Sequence, residues 1–390
     1  MPGSVLGHGQ RRSGKPSRVR AGQSNDVRRV LIDIRALQGP SRHRGIGTYV
    51  RGLLWGLAAE GFGPRLAVLV DQDLPLPALP EAGLVAFSVK RRYHGRFAPF
   101  EEATRLGADL AAIRPLLFHA TELDHLPASA PCPVAVTLHD LIPWSYRTPR
   151  LWGERARYSL GRRRLRQLNL VLAVSQSTAA DAIRLGGVRP ERIRVIPEAV
   201  DSIFEPRRDA GERVREQWGL EGPYLIYVGA LDARKDPAGL LRAWRSARSA
   251  GADVTLVLAG AAGAQAPASM GDARQLGYLE QDQLVDLLSA AGCLVFPSRY
   301  EGFGLPVLEA MACGCPVATY SNSSLPELAG GAAQLVSDGD AEALGRAAAE
   351  LILDRRLAVQ ARAQGLERAA QFSWGRVARE VIEAYSELLR

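Results

Sequence analysis

The 390-residue chain reads as an α/β protein built from two similar parallel-sheet halves. Three observations predict this class. The length exceeds what one compact core usually holds. Short apolar runs of strand length alternate with longer amphipathic runs of helix length, the pattern of βαβ units. That alternation stops once, at a charged connection over residues 204–223, and then restarts.

Each element has its own local reason. "RRVLIDIRAL" (28–37) is a first apolar strand. "RHRGIGTYVRGLLWGLAAEG" follows as a glycine-bearing loop feeding an amphipathic helix that ends at Gly61. Strands are expected at 64–71 and 82–90, a helix at 101–115, and a strand at "LLFHAT". "CPVAVTLHDLIP" (132–143) runs from strand to loop. "NLVLAVSQSTAADAIRLGGV" (169–188) is strand, serine-capped turn and helix. A short strand at 191–201 leaves the first half. The second half repeats the scheme through "YLIYVGAL", "DPAGLLRAWRSARSAG", "DVTLVLAG", "LEQDQLVDLLSAAG", "CLVFPS", "PVLEAMAC" and "PVATY". One long helical run over 341–373 and a last helix from Trp374 close the chain. The expected division is a basic tail over 1–26, an N-terminal half over 27–205, a C-terminal half over 206–375 and a final helical segment over 376–390.

The net charge is +8, and seven cations against Asp26 put +6 of it in residues 1–29. Charge confined to such a tail is poor support for a nucleic-acid partner, and none is expected. No run nears the ~20 apolar residues of a membrane span. The start carries no secretory signal, so cytoplasmic residence is expected. Cys132, Cys293, Cys313 and Cys315 then read as reduced core residues. The Cys313-Gly314-Cys315 pair lacks a second ligand pair, so no metal site is assigned.

Four constellations carry chemistry. In "RYEGFGLPVLEAMACGCPV" (299–317), Pro306 suits a first helical turn and Gly314 a helix end. The free N–H groups of a helix over about 306–313 then face the loop Gly302, Phe303, Gly304 and Leu305. Such a loop is an anion site, because glycines let the backbone come close. Glu301 and Glu309 flank it at the spacing E-x7-E. Carboxylates there suit neutral hydroxyls a few ångströms from a phosphate. A phosphate between two hydroxyl-bearing rings is a nucleotide sugar. An acid at a helix start is also favourable with no ligand at all; the strand-end location favours a ligand. In "YVGALDARKDPAGL" (227–240), a strand ends at Gly229, and Arg234 and Lys235 precede a helix capped by Asp236. Two cations at that edge suit a diphosphate. "RHRGIGTYV" (42–50) places Gly45 and Gly47 before a helix, as a close-approach loop rather than a full dinucleotide fingerprint. "AVTLHDLIPW" puts His139 and Asp140 where a strand exits, a usual place for active-site residues and equally for a satisfied core histidine.

Taken together, "EGFGLPVLEAMACGCPV", "VGALDARKDP", "GIGTYVRGLL", "VTLHDLIP" and "VLAVSQST" resemble glycosyltransferase family 4 over roughly residues 28–388. The chain is most similar to bacterial mannosyl- and rhamnosyltransferase-type members of polysaccharide assembly. The resemblance implies a GT-B fold, two Rossmann-like parallel-sheet domains facing a cleft, with the last helix crossing back to the first domain. It implies a GDP- or UDP-linked hexose donor on the C-terminal domain and a glycan, lipid-linked or small-molecule acceptor on the N-terminal one. Transfer with retention and no metal or other cofactor is implied. Arg234 and Lys235 would hold the diphosphate, Glu309 the ribose, and Glu301 with the Gly302–Phe303–Gly304 backbone the donor sugar. His139 would contact the sugar near the reacting carbon, while Gly45 and Gly47 would close over the diphosphate. Two departures stand out: Ala230 where many relatives carry arginine, and Glu198-Ala199 where they often carry Asn-Gly. A basic stretch at 150–167, with seven arginines and one acid, and another at 90–96 suit peripheral contact with an anionic membrane, or a merely solvated face. The alternatives are a nucleotide-sugar epimerase of this architecture and a non-catalytic nucleotide-sugar-binding subunit.

Overall fold

The computed structural model describes residues 29–90, 98–146, 151–261 and 270–390. The basic tail and most of the 90–96 stretch lie outside them. Among the described residues two parallel sheets form. The first contains β1 Val30–Asp33, β2 Leu66–Asp71, β3 Val85–Val89, β4 Leu117–Ala120, β5 Val134–Leu138, β6 Leu170–Ala173 and β7 Ile193–Val195, in the order β3-β2-β1-β4-β5-β6-β7. The second contains β8 Tyr224–Val228, β9 Thr255–Ala259, β10 Arg274–Gly277, β11 Cys293–Phe296, β12 Val317–Tyr320 and β13 Gln334–Val336, in the order β10-β9-β8-β11-β12-β13. Each sheet therefore reverses its winding once, between β1 and β4 and between β8 and β11. Loops leaving the two strands at such a reversal splay apart and leave a crevice at the carboxyl edge.

The strands are buried on both faces, which explains their near-continuous apolar sequence. In the first sheet Ile32 and Val68 face one core while Leu31, Ala67 and Leu69 face the other. The first of these cores is completed by the final helix Trp374–Leu388, through Val377, Val381 and Tyr385. Side chains of that size contribute about 1.5–3 kcal/mol each when fully buried. Two glycines make room for the crossing. A Cβ on Gly52 would sit 2.0 Å from the Trp374 ring, and one on Gly56 would sit 2.5 Å from the Trp374 carbonyl. The last helix thus lies on the N-terminal domain.

Some elements differ from the sequence expectation. Gly45 and Gly47 fall inside the first turn of the helix Gly45–Ala59 rather than in a loop before it. The long run at 341–373 is two helices, Ala341–Leu353 and Arg355–Ala369. Asp354 separates them, its carboxylate accepting from the N–H groups of Arg356 and Leu357. Strands β10 and β13 and the short helix Leu325–Ala329 have no counterpart in the sequence reading. They are three to five residues long, and β10 is half polar, so neither period nor length reveals them. Cys293, Cys313 and Cys315 are buried, Cys132 is half-buried, and all four are free thiols. No helix of the described residues is long and apolar enough to cross a membrane.

Candidate functional site

The second sheet's winding reversal positions the charged residues. β8 is followed by Gly229, whose φ of +135° favours glycine. The Asp232 carboxylate then accepts from the N–H groups of Arg234 and Lys235, at 3.0 and 3.1 Å, and fixes a tight turn. Asp236 caps the next helix, Pro237–Ser249, by accepting from Gly239 N–H at 2.8 Å. Both cations are therefore presented from a backbone anchored at each end. The neighbouring strand β11 runs into Ser298 and the loop that carries Glu301.

These two loops meet. Glu301 Oε1 accepts hydrogen bonds from Arg234 Nη1 at 2.8 Å, from Lys235 Nζ and from Ser298 Oγ. Arg234 Nη1 also donates to the Tyr300 carbonyl at 2.7 Å. Burial would raise the Glu301 pKa, but Arg234 and Lys235 outweigh it and bring it down to about 2. Burial and the neighbouring Arg234 lower the Lys235 pKa, with Glu301 opposing. The ammonium lies 4.4 Å from the centre of the Phe296 ring, a cation–π contact. Burial would lower the Arg234 pKa, yet Glu301, Asp232 and Asp140 raise it. Glu301 thus serves two cations, and Arg234 also faces Asp232 at 3.8 Å. The sequence expectation aimed Glu301 at sugar hydroxyls. In the structure Oε1 is taken up by three protein donors, and Oε2 makes no hydrogen bond among the described residues.

Two helix starts converge beside this centre. Leu305–Ala312 begins after Gly304, at φ +111°, with no side-chain cap. Gly45–Ala59 begins from the N-terminal domain, also uncapped. A Cβ on Gly45 would lie 3.4 Å from Leu305 Cδ1, so the two starts touch across the domain boundary. Uncapped helix starts leave N–H groups and partial positive charge in one place. Gly47 packs on the chain before it, where a Cβ would meet the Arg42 carbonyl at 2.5 Å. Phe303 contributes backbone only, since its ring is buried against Phe372 at 5.9 Å.

Contacts that the sequence reading did not identify hold the domains together here. The Gly302 carbonyl accepts from Ser175 Oγ at 2.6 Å and Thr178 Oγ1 at 3.2 Å. A Cβ on Gly302 would stand 1.9 Å from the His139 carbonyl, so this position needs glycine. Glu327 of the C-terminal domain accepts from the N–H groups of Gln176 and Ser177, at 2.9 and 3.1 Å. Tyr300 and Ser145 both donate to Asp181. Only Ser175 had a visible signal, as a helix cap.

His139 follows β5, and its Nδ1 lies 2.8 Å from Glu198 Oε1, a hydrogen bond. Burial would lower its pKa, but the Glu198 bond and charge raise it, with Asp140 and Glu122 adding. Its Nε2 is buried and has no partner among the described residues. Burial raises the Asp140 pKa against the pull of the Ile142 N–H and Arg234. Glu309, half-buried on the helix after the glycine loop, is pushed up to about 7 by burial and by Asp201 and Glu198. A cavity of about 680 Å³ lies between the two interdomain connections, lined by Trp55, Asp201, Phe204, Phe372 and Trp374 among others and by none of Arg234, Lys235, Glu301, Glu309 or His139.

The family model described as Glycosyltransferase Family 4 matches residues 43–204, and the one described as Glycosyl transferases group 1 matches residues 211–368. A similar curated protein is O-antigen chain mannosyltransferase B of Escherichia coli, 33% identical over 56% of this chain and 61% of that protein. The serotype-specific mannosyltransferase WbdA of Escherichia coli is 24% identical over 93% of this chain and 48% of its own length. The chain spans roughly half to three fifths of the length of these relatives. Among solved structures, HepE of Anabaena in complex with UDP and glucose superposes with a TM-score of 0.71 at 20% identity, covering 92% of this chain and 99% of that one. At such identity the likeness speaks for the fold, the GT-B arrangement of two Rossmann-like domains.

Proposed function

The chain belongs to glycosyltransferase family 4, and from that premise we propose that it is a retaining hexosyltransferase. The donor is a GDP- or UDP-linked hexose, mannose or a similar sugar. The acceptor is a glycan, a lipid-linked or a small hydroxyl compound. One observation carries this reading: Arg234 and Lys235 share the single carboxylate of Glu301 beside an uncapped helix start. A departing nucleoside diphosphate gains negative charge in the transition state. Fixed cations and backbone N–H groups stabilise that charge more than they stabilise the donor, which lowers the barrier. They do so without a metal. The mannosyltransferase relatives and the UDP complex of HepE support the donor class.

Retention follows from a front-face transfer. The bond from the anomeric carbon to the phosphate oxygen breaks, and the acceptor oxygen bonds to the same face. The acceptor proton passes to the departing phosphate oxygen. No enzymic nucleophile is required, and Glu301 is ill suited to be one, since its pKa of about 2 leaves a weakly basic, doubly ion-paired carboxylate. Glu309 binds the ribose hydroxyls, and His139 Nε2 meets the donor sugar.

The test is incubation with GDP- and UDP-sugars, with and without candidate acceptors, reading nucleotide release and product anomericity. Acceptor-dependent release with a retained anomeric centre supports the reading. Sugar conversion without an acceptor indicates an epimerase, and binding without turnover a non-catalytic subunit. EDTA should leave the rate unchanged; loss restored by a divalent ion would contradict the metal-free mechanism.

Peripheral membrane contact belongs to the same proposal, through exposed Trp152 and Arg163 on the helix Trp152–Leu165. Several of that helix's other arginines bond back to the domain, Arg157 while keeping 59% of its side chain exposed. Arg157 pairs with Asp124, Arg162 donates to the Leu185 carbonyl and Arg164 to the Leu126 carbonyl. Co-sedimentation with anionic but not neutral vesicles is expected; no binding to either would remove this part. A nucleic-acid partner is not proposed.

A further inference from the structure

We propose that Glu198 is the positioning residue of His139: it fixes Nδ1 as the proton-bearing ring nitrogen and so reserves Nε2 for the donor sugar. What Nε2 meets rests on the glycosyltransferase reading; the pairing itself does not.

The geometry is specific. Glu198 lies just beyond β7, where the chain leaves the N-terminal domain, and is 4% exposed. His139 lies 59 residues earlier, at the exit of β5, and the two meet at 2.8 Å. The ring is held on other sides as well. Tyr49 packs edge-on, its ring centre 4.9 Å away at 85°. Tyr49 is fixed in turn by a buried chain of polar contacts: its hydroxyl to Thr137 Oγ1 at 2.9 Å, Thr137 Oγ1 to His119 Nε2 at 2.8 Å, and His119 Nδ1 to the Tyr385 hydroxyl at 2.6 Å. The His139 carbonyl abuts Gly302 of the glycine loop. A histidine clamped this way keeps one buried nitrogen without a protein partner. Buried polar atoms are normally satisfied, so an open one beside the charged centre points to a ligand. Because Nδ1–H must donate to a carboxylate, neutral His139 offers Nε2 as an acceptor for a sugar hydroxyl. Once protonated it offers Nε2–H as a donor.

Glu198 has a second reach. It also acts electrostatically on Glu309 across the domain boundary, together with Asp201. One acid therefore faces both the histidine and the proposed ribose carboxylate. The charged and titratable groups acting on His139 are Glu198, Asp140, Glu122 and His119.

The test uses the full chain labelled at histidine ring nitrogens, without substrate, comparing wild type, Glu198→Gln and Glu198→Ala. Glutamine retains an acceptor and removes the charge; alanine removes both. Wild type and Glu198→Gln should show the Nδ1–H tautomer, with the ring titrating at lower pH in Glu198→Gln. Glu198→Ala should lose that tautomer. In turnover, Glu198→Ala should lower kcat about 10–100-fold with KM for the donor changed by less than about threefold, and Glu198→Gln should recover most of kcat at neutral pH. An unchanged tautomer in Glu198→Ala, or an unchanged kcat, overturns the proposal. A wild-type protein inactive on every donor would sink the glycosyltransferase reading, and the ring signals would still decide the pairing.

Discussion

The two sheets reverse their winding at equivalent places, and each reversal carries a buried ionic cluster of opposite composition. Beyond β1, one arginine lies between two carboxylates. Arg35 donates to Asp33 at 2.6 and 3.0 Å and to Glu102 at 2.7 Å. Burial would raise the Asp33 pKa, yet Arg35 and His125 lower it. Beyond β8 and β11, one carboxylate lies between two cations. The first cluster pairs its cation with two acids and ties the β1 exit to the helix Ala98–Ile113. The second sets Arg234 and Lys235, with Glu301 between them and Asp232 3.8 Å from Arg234, beside an uncapped helix start. Similar topology thus carries one arginine held between two acids in one domain and, in the other, two cations that share one carboxylate beside an uncapped helix start, the proposed diphosphate site.

The largest expected effect tests the first cluster. Arg35→Ala leaves Asp33 buried without its partner and should cost about 3–5 kcal/mol, read as a large drop in Tm. Donor KM in the remaining folded enzyme should hold. A normal Tm with lost donor binding would reverse the assignment of the two clusters. Lys235→Ala should do the opposite: turnover falls about 10²–10³-fold while the fold survives. Near-normal rates would remove Lys235 from the diphosphate site.

Glu309 gives smaller, pH-linked effects. Glu309→Ala should weaken nucleotide binding about tenfold, as expected for one lost hydrogen bond, and unchanged affinity would end its ribose role. Its folded pKa of about 7 exceeds the ordinary 4.5, so its stabilising contribution is complete below the ordinary value. That contribution is lost as pH rises through about 7. Glu309→Gln should therefore gain Tm over wild type at pH 8 and little at pH 5. Equal gains at both would mean that Glu309 is not held protonated by its surroundings.

What could be read from sequence was local. Asp236 as a cap before Pro237, the glycine loop before Pro306 and the helix end at Gly314 are defined by residues within a few positions of one another. Those signals placed Arg234, Lys235 and Glu301 at one sheet edge. Their convergence on a single oxygen was not legible, because it depends on the parallel pairing of β8 with β11. The same holds for Glu198, which in sequence was a departure next to the connection and in space supports His139. Ser175 read as a cap, and its second bond, to Gly302, appears only when the domains face each other. Within the basic helix, too, individual partners were not legible. Arginines that look like a charged face in sequence turn back onto carbonyls and Asp124 in the fold.

The most direct test of the central claim is calorimetric titration of the folded protein with UDP, GDP and ADP beside their monophosphates, for wild type and Lys235→Ala. The account predicts that wild type binds one nucleoside diphosphate more tightly than the matching monophosphate, and that Lys235→Ala loses this preference. Equal affinity for diphosphate and monophosphate in wild type, or a preference that survives in Lys235→Ala, would contradict it.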